Sequence, residues 1–312
     1  MKTIITLVII ALVAVGVWFL ARGPAGPTGP IKVGFIGPLS GDAATYGEPM
    51  HDAVALAVQE INSSGGVKGR MIEVVYEDGK CAGKDAANAA QKLINIDKVK
   101  IVIGGVCSGE TLGAAPIAEA AKVILFSPGS GSPDITNAGD YIFRNFPSDA
   151  SSGKKMAEVA MEKNLKRVAL LVETTDYAQA IKRVFTNRFT ELRGEIVADE
   201  SFTSQATDMR TQITKIKSTR PDAVYFVPQT PAKGEIALKQ FGELGLRAQL
   251  LSNEIINSEI ILKNVAKAVE GVLYAEPYFD PESPISKAFL DKYKTKFGTL
   301  GTGLPPVYLA TA

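Results

Sequence analysis

Residues 100–111 read KIVIGGVCSGET, and the reading of that stretch decides the fold. Ile101, Val102 and Ile103 are apolar and β-branched without alternation, which marks a short strand buried on both faces. Two glycines end it, and SGETLGAAPIAEAA (108–121) then has the composition of a helix. A strand turning at once into a helix is half of a βαβ unit, and a series of such units makes a parallel sheet with right-handed crossovers. The stretch also nearly spells a nucleotide-binding loop, with Gly104, four residues, and then Gly109. Glu110 stands where that loop needs lysine, and a carboxylate there repels a triphosphate. What remains is a helix tip whose free N–H groups and dipole favour a smaller anion, with Ser108 placed as an N-cap hydroxyl. A serine that merely caps its helix explains the spacing equally well.

The same alternation runs outward in both directions. IKVGFIGP (31–38), MIEVVYED (71–78) and VILFSP (123–128) read as strands, with helices around 47–66 and 84–95 between them. After the polar break FPSDASSGKK (146–155) the pattern restarts. RVALLVE (167–173), EIVADESF (195–202), DAVYFVP (222–228) and AQLLS (248–252) alternate with helical segments, and GVLYAEP (271–277) leads to a helix over 283–298. The predicted class is α/β, with two doubly wound parallel-sheet lobes joined near residues 148 and 275. Residues 31–147 with 276–312 form lobe 1, and 148–275 form lobe 2. Open sheets of this kind bind ligands beyond the carboxyl ends of their strands, so two facing lobes make a cleft. PPVYLATA (305–312) opens like a helix without a stop signal, and the fold is expected to continue past it.

Composition sets limits on function. The chain has 312 residues, 46% hydrophobic and 21% charged, an ordinary globular profile. Of its 34 basic residues, Lys2 and Arg22 lie in the first thirty positions, which hold no acid; the remainder nearly balances the 33 acidic ones. No basic excess exists to neutralise a phosphate backbone, so nucleic acid is not expected as a partner. Residues 1–30 stand apart from the fold. Lys2 precedes the apolar run ITLVIIALVAVGVWFLA (5–21), and a Gly/Pro linker follows. This is the layout of an export signal, and the run is also close to the roughly 20 residues that span a bilayer. A cleaved signal and an uncleaved membrane anchor both fit, and both place the body outside the cytoplasm. Cys81 and Cys107 lie in that body. In an oxidising compartment an isolated pair forms one disulfide; two buried free thiols are the alternative. Two cysteines make no zinc site.

Several stretches together resemble the leucine/isoleucine/valine-binding type of periplasmic substrate-binding protein, with the periplasmic binding protein type 1 fold. They are VGFIGPLSGDAATYG (33–47), INSSGGVKGR (61–70), the Cys81/Cys107 pair, CSGET (107–111) and SPGSGSPDIT (127–136). The resemblance runs in order from Ile31 to the last residue. It implies a two-lobed receptor that closes on a small amino-acid-like ligand and delivers it to an ABC transporter permease in the membrane. It also implies the site. Ser108 matches the serine that binds the ligand α-carboxylate. Gly129, Ser130 and Gly131 match groups that grip carboxylate and ammonium, although Gly131 stands where many relatives have threonine. Ser130 and Ser132 are the hydroxyls on offer in its place. Tyr46 matches an aromatic lining the pocket from lobe 1, and Tyr177 an aromatic lid from lobe 2, followed by Ala178 in place of the usual glycine. Glu254, in LLSNEI (250–255), matches the acid that pairs with the ammonium. Gln229 falls where branched-chain binders carry tyrosine, a departure that bears on the apolar side-chain preference.

Catalytic equipment is thin. His51 is the single histidine and reads as a surface or lobe-edge residue. No G-x-S-x-G elbow is present, and the glycines at 34, 37 and 41 miss the dinucleotide spacing. No enzyme, cofactor or metal is expected. An amide, urea or other small polar solute is the alternative ligand, and an anchored sensor domain of the same fold the alternative role.

Overall fold

The computed structural model describes residues 29–298. The apolar leader and the closing PPVYLATA, on which the expectations of a signal or anchor and of a continuing fold rest, lie outside them. Two five-stranded parallel sheets form the frame. The first holds β1 (Ile31–Gly37), β2 (Ile72–Asp78), β3 (Ile101–Gly104), β4 (Ile124–Ser127) and β5 (Ile142–Arg144), in the order β2-β1-β3-β4-β5. The second holds β6 (Arg167–Glu173), β7 (Glu195–Phe202), β8 (Ala223–Val227), β9 (Gln249–Asn253) and β10 (Leu273–Ala275), in the order β10-β9-β8-β6-β7. Counted from its own first strand, the second sheet repeats the order of the first. The chain runs the same doubly wound path twice, as the restarted pattern implies.

Burial explains why these segments are strands. β6 is buried along its length after Arg167, and its residues divide between two cores. Val168, Leu170 and Val172 pack with Phe185, Phe189 and Tyr225. Ala169 and Leu171 pack with Ile213, Phe226 and Phe241 on the opposite face. Helices cover both faces, so continuous apolar runs are what this sheet requires. In the first sheet Phe35 joins Met50 and Val54 from α1 (Ala44–Ser63), while Ile36 joins Leu93 from α2 (Gly83–Asn95) on the other face. Each such large side chain contributes about 1.5–3 kcal/mol by leaving water.

The remaining helices are α3 (Ser108–Ala121), α4 (Ala150–Glu162), α5 (Asp176–Glu191), α6 (Arg210–Ser218), α7 (Pro231–Glu243), α8 (Glu259–Val269) and α9 (Pro284–Phe297). α9 returns to the first lobe, where Tyr293 packs on Ala53 and Leu56 of α1 and Lys292 pairs with Glu60 at 2.8 Å. Two elements escape the sequence pattern. β5 has only three residues, too few to show a period, and α8 is broken at Val265, where φ is −139° and ψ 34°. Tyr46 lies inside the first turn of α1 rather than in the turn before it. Among the described residues no helix is long and apolar enough to cross a membrane.

Cys81 and Cys107 are joined in a disulfide with Cα atoms 5.2 Å apart, so the pair is not two free thiols. The bond ties the turn after β2 to the turn after β3. Lys80 and Cys81 both have positive φ, 50° and 57°, a left-handed conformation costing an L-residue roughly 1–2 kcal/mol. Asp78 helps hold it, accepting from the N–H groups of Leu39 and Lys80 and from the Ser40 hydroxyl. Replacing both cysteines by serine is expected to lower unfolding free energy by about 3–4 kcal/mol, the chain-entropy value for a loop of this size. Guanidinium titration of the two proteins checks this; equal midpoints contradict it.

Candidate functional site

Seven groups converge because each follows the carboxyl end of a strand. Tyr46 comes after β1, Ser108 after β3, Gly131 after β4 and Asp149 after β5; Tyr177 comes after β6, Gln229 after β8 and Glu254 after β9. The strand order reverses between β1 and β3 and again between β6 and β8, and the loops at such switch points diverge to leave a crevice.

The helix tip is built around Glu110, which is fully buried. Its Oε2 accepts from the N–H groups of Val106 and Cys107, both at 3.0 Å, and its Oε1 accepts from Cys81 N–H at 2.9 Å. Close backbone approach is needed here: a Cβ at Gly79 would lie 2.3 Å from Oε1, and one at Gly105 2.2 Å from the Glu110 Cβ. The glutamate that breaks the phosphate-loop pattern is therefore a structural clamp, holding both disulfide-bearing turns by their backbone. Burial pushes its carboxyl up to about 7, against the pull of its three backbone donors. Ser108 is the first residue of α3 rather than its cap, a place taken by Cys107. The N–H groups that open the first turn at Ser108 and Gly109 have no intrahelical partner.

The Ser108 hydroxyl accepts from Ser132 N–H at 3.1 Å, fixing the SPGSGSP loop against the helix tip. Ser130 is buried, and its hydroxyl donates to Gly105 O at 3.0 Å and lies 2.7 Å from the Thr111 hydroxyl. The Ser132 hydroxyl accepts from Asp134 N–H. The Ser130 hydroxyl is thus committed to the loop backbone at Gly105 and to Thr111. The space beside Gly131 belongs to Asp149, whose Oδ2 would lie 1.9 Å from a Cβ there. Gly129 is similarly confined, a Cβ meeting Val106 O at 2.9 Å.

Asp149 is the residue that sequence reasoning missed. It is 1% exposed, and neither carboxylate oxygen has a hydrogen-bond partner among the described residues. Burial and the nearby Glu254 push its carboxyl well above the usual range, with Arg144 opposing. Arg144 itself donates to the carbonyls of Ser130 and Ser132 at 3.3 and 2.7 Å. In sequence Asp149 sits in a Ser-rich break that reads as a linker, and only its unneutralised charge inside FPSDASS offers a signal.

Across the cleft, Tyr177 is buried in the first turn of α5. Its hydroxyl donates to Glu254 Oε1 at 2.5 Å and accepts from Asn253 Nδ2 at 3.0 Å, while Asn253 also donates to Pro228 O. Tyr177 is thus a strut that aims an acid. The second oxygen of Glu254, Oε2, is shielded from solvent and has no donor among the described residues. Burial also raises the Glu254 carboxyl, with Tyr177 pulling it down.

Direct bonds close the two lobes on each other. The Tyr46 hydroxyl donates to Gln229 O at 3.2 Å, and Gln229 Nε2 donates to the Cys81 sulfur. Lys233, 5% exposed, pairs with Asp42 at 3.2 Å, and Arg183 grips both oxygens of Asp134 at 2.7 and 2.6 Å. Contacts run from Ser108 through Ser132 and the Gly131 loop to Asp149, whose carboxyl feels the charge of Glu254. Among the described residues no group of three or more His, Cys, Asp or Glu could hold a metal ion. His51 lies away from these groups, beside Asp52 and over the Tyr76 ring.

A family model described as periplasmic binding protein matches residues 30–311. The chain belongs to that family. It is 30% identical to the Leu/Ile/Val-binding protein of Escherichia coli K12 over 269 residues, 85% of this chain and 72% of that one. Among solved structures it is similar to the branched-chain amino acid transporter substrate-binding protein LivJ of Streptococcus pneumoniae in complex with isoleucine. That match has a TM-score of 0.77 and 30% identity, covering 90% of this chain and 80% of the other. It is also similar to an ABC transporter solute-binding protein of Rhodopseudomonas palustris BisB5 in complex with 3,4-dihydroxybenzoic acid, at TM-score 0.76 and 28% identity, covering 90% and 77%. The matches agree on the two-lobed α/β fold; their ligands differ.

Glu110 generates a pH test. Its folded carboxyl is raised from 4.5 to about 7, so stability is highest below about pH 4.5 and falls as pH rises toward 7, by roughly 3 kcal/mol for this group. Glu110→Gln keeps the side chain neutral, so the difference in unfolding free energy between the two proteins should change across pH 4.5–7 and stay flat above it. Urea titrations at several pH values measure this; a difference independent of pH rules the clamp's charge out.

Proposed function

We propose that this protein is the extracytoplasmic solute-binding component of an ABC transporter and that it captures an amino acid between its lobes. The observation carrying the ligand class is the pairing of opposite needs across one cleft. On one wall a helix tip offers free N–H groups beside Ser108, with both Asp149 oxygens shielded and without donors against the Gly131 loop; on the other, Glu254 Oε2 is a shielded acceptor without a donor. A zwitterion answers both, with its carboxylate at the helix tip and its ammonium between the two acids. Charge-assisted hydrogen bonds of this kind contribute about 1.5–3 kcal/mol each, and two or three of them together with burial of the ligand side chain support micromolar binding near about −8 kcal/mol. Gly129 and Gly131 bring the loop backbone close, and Tyr46 and Tyr177 wall the pocket. No step of this role requires catalysis.

The kinship with branched-chain amino acid receptors supports the same role and an export route to the periplasm or outer face. The relative bound to an aromatic acid favours a second ligand class. An aromatic acid brings a carboxylate without an ammonium, however, and leaves the Asp149 and Glu254 oxygens unpaired at a cost of about 1–3 kcal/mol each.

Isothermal titration of the purified chain against the twenty amino acids should give heat with at least one, and Glu254→Gln should weaken it by 10-fold or more. Because burial holds the Asp149 and Glu254 carboxyls up, bringing in an ammonium favours their ionised forms and expels protons. Affinity should therefore rise with pH through the acids' range, and the observed heat should vary with buffer ionisation enthalpy. Binding of an aromatic acid and of no amino acid would refute the reading.

A further inference from the structure

Two adjoining cavities of about 550 and 560 Å³ meet at Gln229. Both are walled by Cys81, Ala82, Thr175, Ser204, Gln205 and Gln229. No Leu, Ile, Val, Met, Phe, Tyr or Trp stands among the described residues lining either one. A branched aliphatic side chain entering either cavity finds no large apolar side chain to pack against.

Gln229 sits at the junction. Its carbonyl takes the Tyr46 hydroxyl, and its Nε2 reaches the sulfur of Cys81, which is bonded to the residue before Ser108. Its backbone N–H donates to Glu173 Oε2 at 2.7 Å, and Ser204 donates to the other oxygen of that carboxylate, also at 2.7 Å. The residue is therefore fixed at both ends and 7% exposed. Yet its Oε1 accepts no hydrogen bond among the described residues, and neither does the buried Thr230 hydroxyl next to it. The sulfur can only accept, so the amide nitrogen belongs on that side and the oxygen is left for a donor. A buried carbonyl oxygen without a donor costs about as much as a lost hydrogen bond.

We propose that Gln229 and Thr230 form the side-chain subsite of the cleft, and that the ligand is an amino acid whose side chain ends in an N–H or O–H donor, such as a carboxamide or an amine, not a branched aliphatic. This rests on the zwitterion reading above and adds the class of side chain to it. The α-ammonium satisfies Asp149 and Glu254; the side-chain donor satisfies Gln229 Oε1, with Thr230 beside it.

The test is calorimetric titration of the full chain with chain-length pairs, glutamine and lysine against norleucine, together with asparagine, threonine, leucine, isoleucine and valine. A donor-bearing amino acid should bind at least about 10-fold tighter than any aliphatic one, as expected where a buried group is left unpaired by the analogue. Gln229→Leu should reverse that order, and Thr230→Val, which keeps the side-chain shape, should weaken the polar ligand several-fold at unchanged Tm. Tightest binding by leucine, isoleucine, valine or norleucine overturns the subsite while leaving the amino-acid receptor standing. An unchanged polar-to-aliphatic ratio in a folded Gln229→Leu protein overturns it as well. Binding of no amino acid removes the zwitterion reading and this one together.

Discussion

A helix can offer its first N–H groups to a ligand only if its first turn is held by something else, and here the holder is Glu110. One buried carboxylate accepts from three backbone donors on two separate turns. A lysine at that position would reach outward to a phosphate; the glutamate reaches inward. It satisfies N–H groups that would otherwise be orphaned in the interior, and it leaves those at Ser108 and Gly109 without an intrahelical partner. The disulfide between Cys81 and Cys107 fastens the same two turns covalently. Bond and carboxylate together keep two left-handed residues in place beside the second lobe.

That rigid tip matters because the opposite wall is electrostatically unfinished. Tyr177 and Asn253 lock Glu254 from one side, and the missing side chain of Gly131 makes room for Asp149 from the other. Both tyrosine hydroxyls of the pocket are held neutral by burial and by the Glu254 charge, so they donate without adding charge of their own. The protein supplies Arg144 near Asp149 but directs it to loop carbonyls, not to the carboxylate. Acids shielded in this way carry a desolvation cost that a bound cation relieves. Interlobe contacts, from Tyr46 with Gln229 to Arg183 with Asp134, hold the two lobes against each other.

Much of the fold is legible because parallel sheets demand continuous apolar strands. IKVGFIG, RVALLVE and AVYFV announce themselves by that rule, and the restart after residue 155 marks the second lobe. The three-residue β5 and the broken α8 do not, since one is too short for a period and the other departs from helical backbone midway. Within the site, Ser108, Tyr177, Gln229 and Glu254 all stand just past strand ends; the strand-to-helix turn marks Ser108, whereas only the family resemblance singles out the other three. Ser130 is different. It shares the loop, yet its hydroxyl faces inward to Gly105 and Thr111, and no sequence period records which way a loop side chain turns.

The sequence alone determined that strands and helices alternate twice over, because burial on both faces writes itself into composition residue by residue. It also determined that a helix tip without a lysine cannot serve a triphosphate, since charge is a property of residue type. Only the tertiary structure decided that Glu110 turns inward, that Asp149 occupies the space left by Gly131, and that Gln229 meets the disulfide. Those outcomes depend on contacts between segments up to 148 residues apart, and the energy of a buried polar atom depends on which partners the fold brings to it.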